Sequence, residues 1–262
     1  MEKLNVITDA ELINQYSAEA MREPAPVIET QAPSSSEVKL LAGLIRGQQV
    51  LLDAEVRELN GADEEAIMKS GGMGKSLMTI LRRGVVSIGG EPVTDDMLDS
   101  LLAGDRDHLM LAICRITFGS SSSVRTTCPS CGVVGSSTID LDKDVPVTPF
   151  NGDWSWTIPT KLGELGVGFY NGITQKKLME NLDKNSAEIS TLILAGCIRS
   201  LDGRPVIAVD VARAMGMADR ETVLQEVLEK APGPRLLEVT TACEACGEKI
   251  FYPLSLASLF RL

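Results

Sequence analysis

The chain has 262 residues, of which 44% are hydrophobic and 4% aromatic, and its 36 acidic and 25 basic side chains give a formal net charge of -11. A chain of this length can bury a substantial core, so a bound metal is not needed merely to hold a very small fold together. The negative charge repels phosphate backbones and anionic lipid surfaces, which argues against nucleic acid and membranes as partners. No apolar run is long enough to cross a bilayer, and the N-terminus lacks the basic-then-apolar layout of a secretory signal. We therefore expect folding in a reducing cytosol, where CxxC pairs are more often metal ligands or redox centres than disulfides.

The first 36 residues are predicted to form an N-terminal arm. Thr8 and Glu11 have the spacing of a capping box, and an amphipathic helix follows them. Prolines and serines between residues 23 and 36 predict a linker. The arm can dock on a partner or fold back onto its own domain, and the sequence does not choose between the two.

Residues 37–145 are predicted to contain a β-hairpin, several helices and a first cysteine hairpin. Aliphatic runs at residues 38–45 and 50–59 flank Arg46-Gly47-Gln48 and have the composition of paired strands. A further strand at residues 85–88 ends in a Gly89-Gly90 turn. Helical patterns occupy residues 62–70, 74–83, 94–102 and 104–118.

Residues 146–262 are predicted to form a strand and helix insert, a second cysteine hairpin and an apolar tail. Strands are expected around residues 154–158 and 166–169, and an Asp202-Gly203 turn is expected between two helices. The tail should pack on the fold or on a neighbour. Apart from the two cysteine segments, no internal repeat is visible. The helical patterns lie near residues 174–182, 186–199, 209–215 and 218–230.

The cysteine segments Cys128-Pro-Ser-Cys131-Gly132 and Cys243-Glu-Ala-Cys246-Gly247 carry the strongest chemical signal in the sequence. In each, two thiolates lie on one side of a tight turn that the glycine closes, so each supplies half of a tetrahedral metal site. We predict that Cys128, Cys131, Cys243 and Cys246 together bind one structural metal ion, zinc, as in a zinc ribbon with a long insertion. The rival readings are a redox-active CxxC, two disulfides or coincidence. Neither pair has the strand-then-helix setting of a thioredoxin-like centre.

Other candidate sites are weaker. Gly71–Ser76 resembles a phosphate loop, but Lys69 stands where the Walker pattern needs glycine, and a charged helical segment precedes it rather than a strand. His108 is the only histidine, and its place at the start of a helix favours a surface or capping role over catalysis. Cys114 and Cys197 lie in apolar helical patterns and are expected in the core. No residue set points to catalysis, so we predict a protein that is not an enzyme.

Six segments, read in order, carry a resemblance to a known family: the hairpin at 38–45, the run 55–65, Leu81–Arg83, Gly104–Arg106, Ile116–Gly119 and Cys128–Cys131. Together these segments resemble the T4-type baseplate hub and hub-assembly proteins of contractile-tailed bacteriophages. They cover residues 38–145 best, and the second cysteine pair extends the likeness to the C-terminus. The resemblance implies a non-enzymatic virion protein of the tail baseplate, assembled in the host cytoplasm, that binds other phage tail proteins; a homo-oligomer is compatible with this role.

The sequence therefore predicts an α+β protein with an N-terminal β-hairpin and helices, in which two CxxC zinc-knuckle hairpins come together as a ribbon-like site. Its expected function is that of a structural component or assembly factor of a phage baseplate or hub. The alternative is a zinc-ribbon protein that binds nucleic acid or acts in transcription. That function needs a basic face, which the loop residues Pro129, Ser130, Glu244 and Ala245 do not provide.

Overall fold

The computed structural model describes residues 34–260 except 182 and 237, and earlier in the chain residues 10 and 12–14. Its contacts divide the chain into two units, Met1–Ala32 and Pro33–Leu262. In the first unit, the described residues are helical. The predicted capping box and almost all of the predicted linker lie outside the described residues. The last linker residues belong to a strand that begins at Ser35.

The first half of the larger unit is a four-stranded antiparallel sheet with helices, followed by a separate hairpin. The sheet has the order β1-β2-β3-β4, so each strand lies beside the next along the chain. The predicted hairpin and helices are confirmed, with bounds that differ by a few residues. The elements are β1 (Ser35–Arg46), β2 (Gln49–Arg57), α1 (Gly61–Lys69), α2 (Met73–Gly84), β3 (Val85–Ile88), β4 (Glu91–Pro92), α3 (Asp95–Ser100), α4 (Ala103–Phe118), β5 (Ser121–Thr127) and β6 (Val134–Asp140).

The second half has the same order of elements. Its sheet has the order β11-β10-β9-β8, and its last hairpin again stands apart. The predicted helices are present, but the chain after α6 forms a short β-hairpin where the sequence predicts the end of a helix and a turn. The elements are β7 (Val147–Thr148), β8 (Ser155–Thr160), β9 (Gly163–Gly168), α5 (Gly172–Met179), α6 (Ser186–Cys197), β10 (Ile198–Leu201), β11 (Arg204–Pro205), α7 (Ala208–Ala214), α8 (Met217–Lys230), β12 (Gly233–Pro234), β13 (Glu238–Ala242), β14 (Lys249–Pro253) and α9 (Leu256–Leu259).

The two halves are therefore structural repeats, which we call repeat 1 (residues 35–140) and repeat 2 (residues 155–253). Each consists of a hairpin, two helices, a short hairpin, two helices and a cysteine hairpin. In both repeats the third strand shifts register against the second near its start, after Val85 in repeat 1 and after Ile198 in repeat 2. The repeat thus extends well beyond the cysteine segments, contrary to the sequence analysis.

Turns and helix starts agree between the repeats. The β3–β4 turn uses Gly89-Gly90 with φ of 61° and 79°, and the β10–β11 turn uses Asp202-Gly203 with φ of 48° and 73°. Positive φ at both central residues matches the twist of a two-residue hairpin. Asn60 and Asn171, each followed by glycine, cap α1 and α5 by accepting a hydrogen bond from the backbone N–H three residues later. The same turn conformation and the same helix cap therefore occur in both repeats, although most residues differ.

The main core lies in repeat 1 and takes in the C-terminal segment. Helices α2 and α4 pack on the first sheet, and the apolar tail fills the remaining side. Of the tail residues, Leu254, Leu256, Leu259 and Phe260 are buried in this core. The described part of the tail therefore packs on its own fold rather than on a neighbour. A second core fills repeat 2, and Trp154 and Trp156 contribute to a third, smaller cluster.

A buried carboxylate, Asp63, joins the start of α1 to β2 and α2. It is 1% exposed and accepts from Arg57 at 2.8 Å and from Arg83 at 3.0 Å. Burial alone raises the pKa of Asp63, but hydrogen bonds from Arg57, from the Asn60 N–H and from Arg83 outweigh it and lower the pKa to about 2. The folded state therefore strongly favours the ionised carboxylate.

We expect Asp63→Asn to lower the free energy of unfolding at neutral pH by about 2 kcal/mol, the equivalent of this pKa shift. Because the folded pKa is depressed, the contribution is fully present above the unfolded pKa and is lost as the pH falls from about 4 through 2. Urea unfolding at a series of pH values measures this: below about pH 4, the free energy of unfolding should fall less steeply with pH for the variant than for the original chain. Asp95→Asn, which removes a half-exposed partner of Arg82, is the matched control. An exposed ion pair contributes little, so this variant should have nearly the same free energy of unfolding as the original chain.

Candidate metal centre

The four predicted cysteine ligands come together from the two repeats. Cys128 and Cys131 lie in the connection between β5 and β6, and Cys243 and Cys246 lie in the connection between β13 and β14. The first cysteine of each pair is buried and the second is exposed. Each repeat therefore contributes one pair to a shared cluster.

Both cysteine turns have the same backbone hydrogen bonds. The Cys128 N–H donates to the Val133 carbonyl at 2.9 Å, and the Gly132 N–H donates to the Cys128 carbonyl at 3.0 Å. In the second turn the corresponding bonds, from Cys243 to Glu248 and from Gly247 to Cys243, are both 2.8 Å. The glycines have φ of 71° and 75°, a conformation that favours glycine at this position. The backbone thus holds both pairs of thiols in one arrangement.

The sulfur positions have the spacing of a tetrahedral site. The Sγ atoms of Cys128 and Cys246 are 3.6 Å apart, and those of Cys131 and Cys243 are 3.7 Å apart. All four sulfurs lie within 4.8 Å of one another. Zinc–sulfur bonds of about 2.3 Å in a tetrahedron require sulfurs about 3.8 Å apart, whereas a disulfide requires about 2.0 Å. The cluster fits a four-coordinate ion, and all four thiols are free.

The thiols have unequal proton affinities. The backbone N–H of Cys131 is the largest influence on Cys128 and lowers the pKa of that thiol to about 7. The Glu248 N–H favours the Cys246 thiolate, but the adjacent thiols of Cys131, Cys128 and Cys243, together with burial, raise the pKa of Cys246 to about 12. One thiolate therefore forms easily and further negative charge is opposed, which is the situation that a bound cation relieves.

Four thiolates leave no coordination position for water or substrate, so an ion held here would be structural rather than catalytic. The residues between the cysteines of each turn are Pro129 and Ser130 in one and Glu244 and Ala245 in the other. None of them is basic, so the turns offer no positively charged contact for phosphate.

The weaker sequence candidates take structural positions. The Gly71–Ser76 segment connects α1 to α2 and follows a helix, not the strand that a phosphate loop requires. His108 lies half-buried in α4, where burial lowers its pKa. Cys114 and Cys197 are buried in the two main cores, as expected.

Arg106 is buried in the structure, although a charged residue in a helical pattern is usually solvated. Its side chain is fully buried and donates to the Gln175 side chain at 2.6 Å and to the Leu98 carbonyl at 2.6 Å. Arg220, the corresponding residue of repeat 2, donates to the carbonyl of Ala212, again eight residues earlier in the chain. The Asp-Arg pair shared by residues 105–106 and 219–220 was the available signal.

The fold and the cluster define an α+β protein of two repeats, closed by four cysteines. Residues 54–261 match the family model described as T4 bacteriophage base plate protein, so the chain belongs to this family. Membership indicates a component of the phage tail baseplate that associates with other tail proteins. Neither a curated protein nor a solved structure shows a significant match to the chain. Among the described helices, none has both the length and the apolar character needed to span a membrane.

Proposed function

We propose that this chain is a non-enzymatic structural component or assembly factor of the baseplate hub, stabilised by one structural zinc ion bound to Cys128, Cys131, Cys243 and Cys246. The observation that carries the zinc assignment is the near-tetrahedral spacing of four free thiols from two distant segments. Family membership carries the baseplate assignment.

The metal acts as a link between the repeats. Apart from the metal, the two cysteine turns share a small buried cluster of Cys128, Cys243 and Ile250. An ion bound by all four thiolates fixes the hairpin of repeat 1 against that of repeat 2, and its binding free energy becomes part of the folding free energy. The helices between the hairpins are then fixed as a surface for other tail proteins.

The proposal keeps the division of the chain into three parts. These parts are an N-terminal arm of residues 1–36 and two segments, residues 37–145 and 146–262. The two segments contain repeats 1 and 2.

The hub assignment is tested by capture of the tagged full-length chain from phage-infected cells during tail assembly. We expect baseplate and hub proteins to copurify stoichiometrically, and mature particles probed with an antibody will distinguish a retained component from an assembly factor. A Cys128→Ser chain, expressed at the same level, is the matched control and should capture less of the same proteins. Copurification of RNA polymerase or nucleic acid in place of tail proteins would contradict the proposal and support the transcription alternative.

A further inference from the structure

Helix α5 of repeat 2 covers a defined face of repeat 1, which we call face 1 (Gly74, Asp99 and Arg106). Gln175 on α5 is 7% exposed and accepts from Arg106, and Lys176 forms an ion pair with Asp99. Gly74 lies directly under this helix, because a Cβ added there would be 2.6 Å from Cβ of Met179. Three residues on one side of α5 thus bind the three residues of face 1.

Repeat 2 has the corresponding face, and no other described element covers it. Ala187 is the second residue of α6 as Gly74 is of α2, and Arg220 is the fourth residue of α8 as Arg106 is of α4. Arg213 precedes Arg220 by seven residues, as Asp99 precedes Arg106. We call these three residues, with the neighbouring Met217, face 2.

Face 2 borders a largely apolar groove between α6 and α8. Ala187, Met217 and Arg220 of face 2 line the groove, and Arg213 lies outside this lining. The rest of the lining includes Leu224 and the acidic residues Glu221 and Glu229. Met217 at its edge is 88% exposed, whereas Ala103, at the same position of α4 under the cover of repeat 2, is 5% exposed. An exposed apolar face of this kind indicates a binding surface.

The helix that corresponds to α5 is α1, and within the described part of the chain its outer side is exposed. The fourth, fifth and eighth residues after the capping asparagine are Gln175, Lys176 and Met179 in α5. In α1 the same positions hold Glu64, Glu65 and Met68. Residues at this spacing share one side of a helix. All three α1 residues are exposed, Met68 by 72%.

The acidic residues of α1 complement the two arginines of face 2. Where Lys176 of α5 meets Asp99, α1 offers Glu65 to Arg213, so both signs are reversed and the attraction is kept. Where Gln175 accepts from Arg106 and donates to Asp107, α1 offers Glu64, which can accept from Arg220 but meets a like charge in Glu221, the counterpart of Asp107. Ala187 has a methyl group where Gly74 has none, so Met68 would pack there from slightly farther out.

We propose that α1 of a second copy of this chain docks on face 2, in the way that α5 docks on face 1 within the chain. The contact uses different surfaces on the two copies, so it is heterologous and repeats head to tail, giving a ring if the rotation closes and a filament if it does not. The inference depends on the repeat geometry and goes beyond the baseplate assignment and the metal.

Sedimentation velocity of the purified full-length chain and of Met68→Asp and Met217→Asp chains tests the proposal. We expect concentration-dependent oligomers for the original chain and monomers for either variant, because a carboxylate replaces the apolar contact on α1 or on face 2. Mixed in equal amounts, the two variants should form a dimer and nothing larger, since the intact α1 of the Met217→Asp chain fits the intact face 2 of the Met68→Asp chain.

Ile45→Asp is the matched control, because Ile45 is 54% exposed and belongs to neither face; this variant should associate like the original chain. A chain that sediments as a monomer at every concentration up to its solubility overturns the proposal. So does a mixture of the two variants that stays monomeric. If Met217→Asp abolishes association and Met68→Asp does not, face 2 holds another segment, such as the N-terminal arm, and α1 is not its occupant.

Discussion

Replacing Cys128 by serine is expected to abolish stoichiometric zinc binding and to lower the free energy of unfolding by about 3 kcal/mol or more, since structural zinc sites bind with free energies on the order of 10 kcal/mol. Cys128 is 1% exposed and its sulfur is 3.6 Å from that of Cys246. Serine supplies no thiolate and leaves three sulfurs around a site built for four. Zinc content by inductively coupled plasma mass spectrometry and unfolding in urea measure the two effects.

The repeats supply the controls for this experiment. Cys243→Ser changes the corresponding residue of the other turn and should lose as much stability as Cys128→Ser, while the double variant should lose little more, because either change already disables the one shared site. Ser130→Ala lies in the same turn, exposed, and keeps all four thiols. A chelator should lower the melting temperature of the original chain and leave Cys128→Ser unchanged. If the purified chain contains no stoichiometric metal, or if the chelator has no effect, the zinc assignment is wrong.

Local features of the fold could be predicted because they depend on local signals. The Gly89-Gly90 turn and the aliphatic runs of the first hairpin each specify backbone geometry through a few neighbouring residues. The four cysteines could be proposed as one group because identical turns are recognisable by themselves. Their proximity within 4.8 Å agrees with that proposal.

The larger repeat could not be predicted, because its corresponding positions share a role rather than an amino acid. Arg106 is placed against the sulfur of Met78, and Arg220 donates to the hydroxyl of Thr191 at the corresponding place on α6. A comparison of residue types finds no similarity between methionine and threonine. The repeat is visible only once the contacts are known.

The burial of Arg106 could not be predicted from the sequence for a related reason. A charged residue in a helical pattern is usually solvated, and what buries this one is α5, a helix far away in sequence. Only the packing of repeat 2 on repeat 1 decides that Arg106 is fully buried while Arg220 keeps contact with solvent.

Because α5 buries Arg106, replacement of this residue should have a large effect on stability. We expect Arg106→Ala to lower the free energy of unfolding by about 3 to 5 kcal/mol, because removal of one partner leaves buried polar groups unpaired. Gln175 and the Leu98 carbonyl lose the donor at 2.6 Å, and Asp99, 3.5 Å from the guanidinium, loses a buried counter-charge. Urea unfolding in dilute solution measures the loss.

Arg220→Ala is the matched control, since it removes the same side chain from the corresponding position of repeat 2. Arg220 is only half-buried, and water can replace it at the carbonyls that it leaves, so we expect a loss of about 1 kcal/mol. The ratio of the two losses measures what the docking of α5 adds, because both arginines bond the carbonyl eight residues earlier and differ chiefly in whether a helix covers them. Equal losses would mean that α5 does not cover Arg106 in solution, which would also remove the basis for docking α1 on face 2.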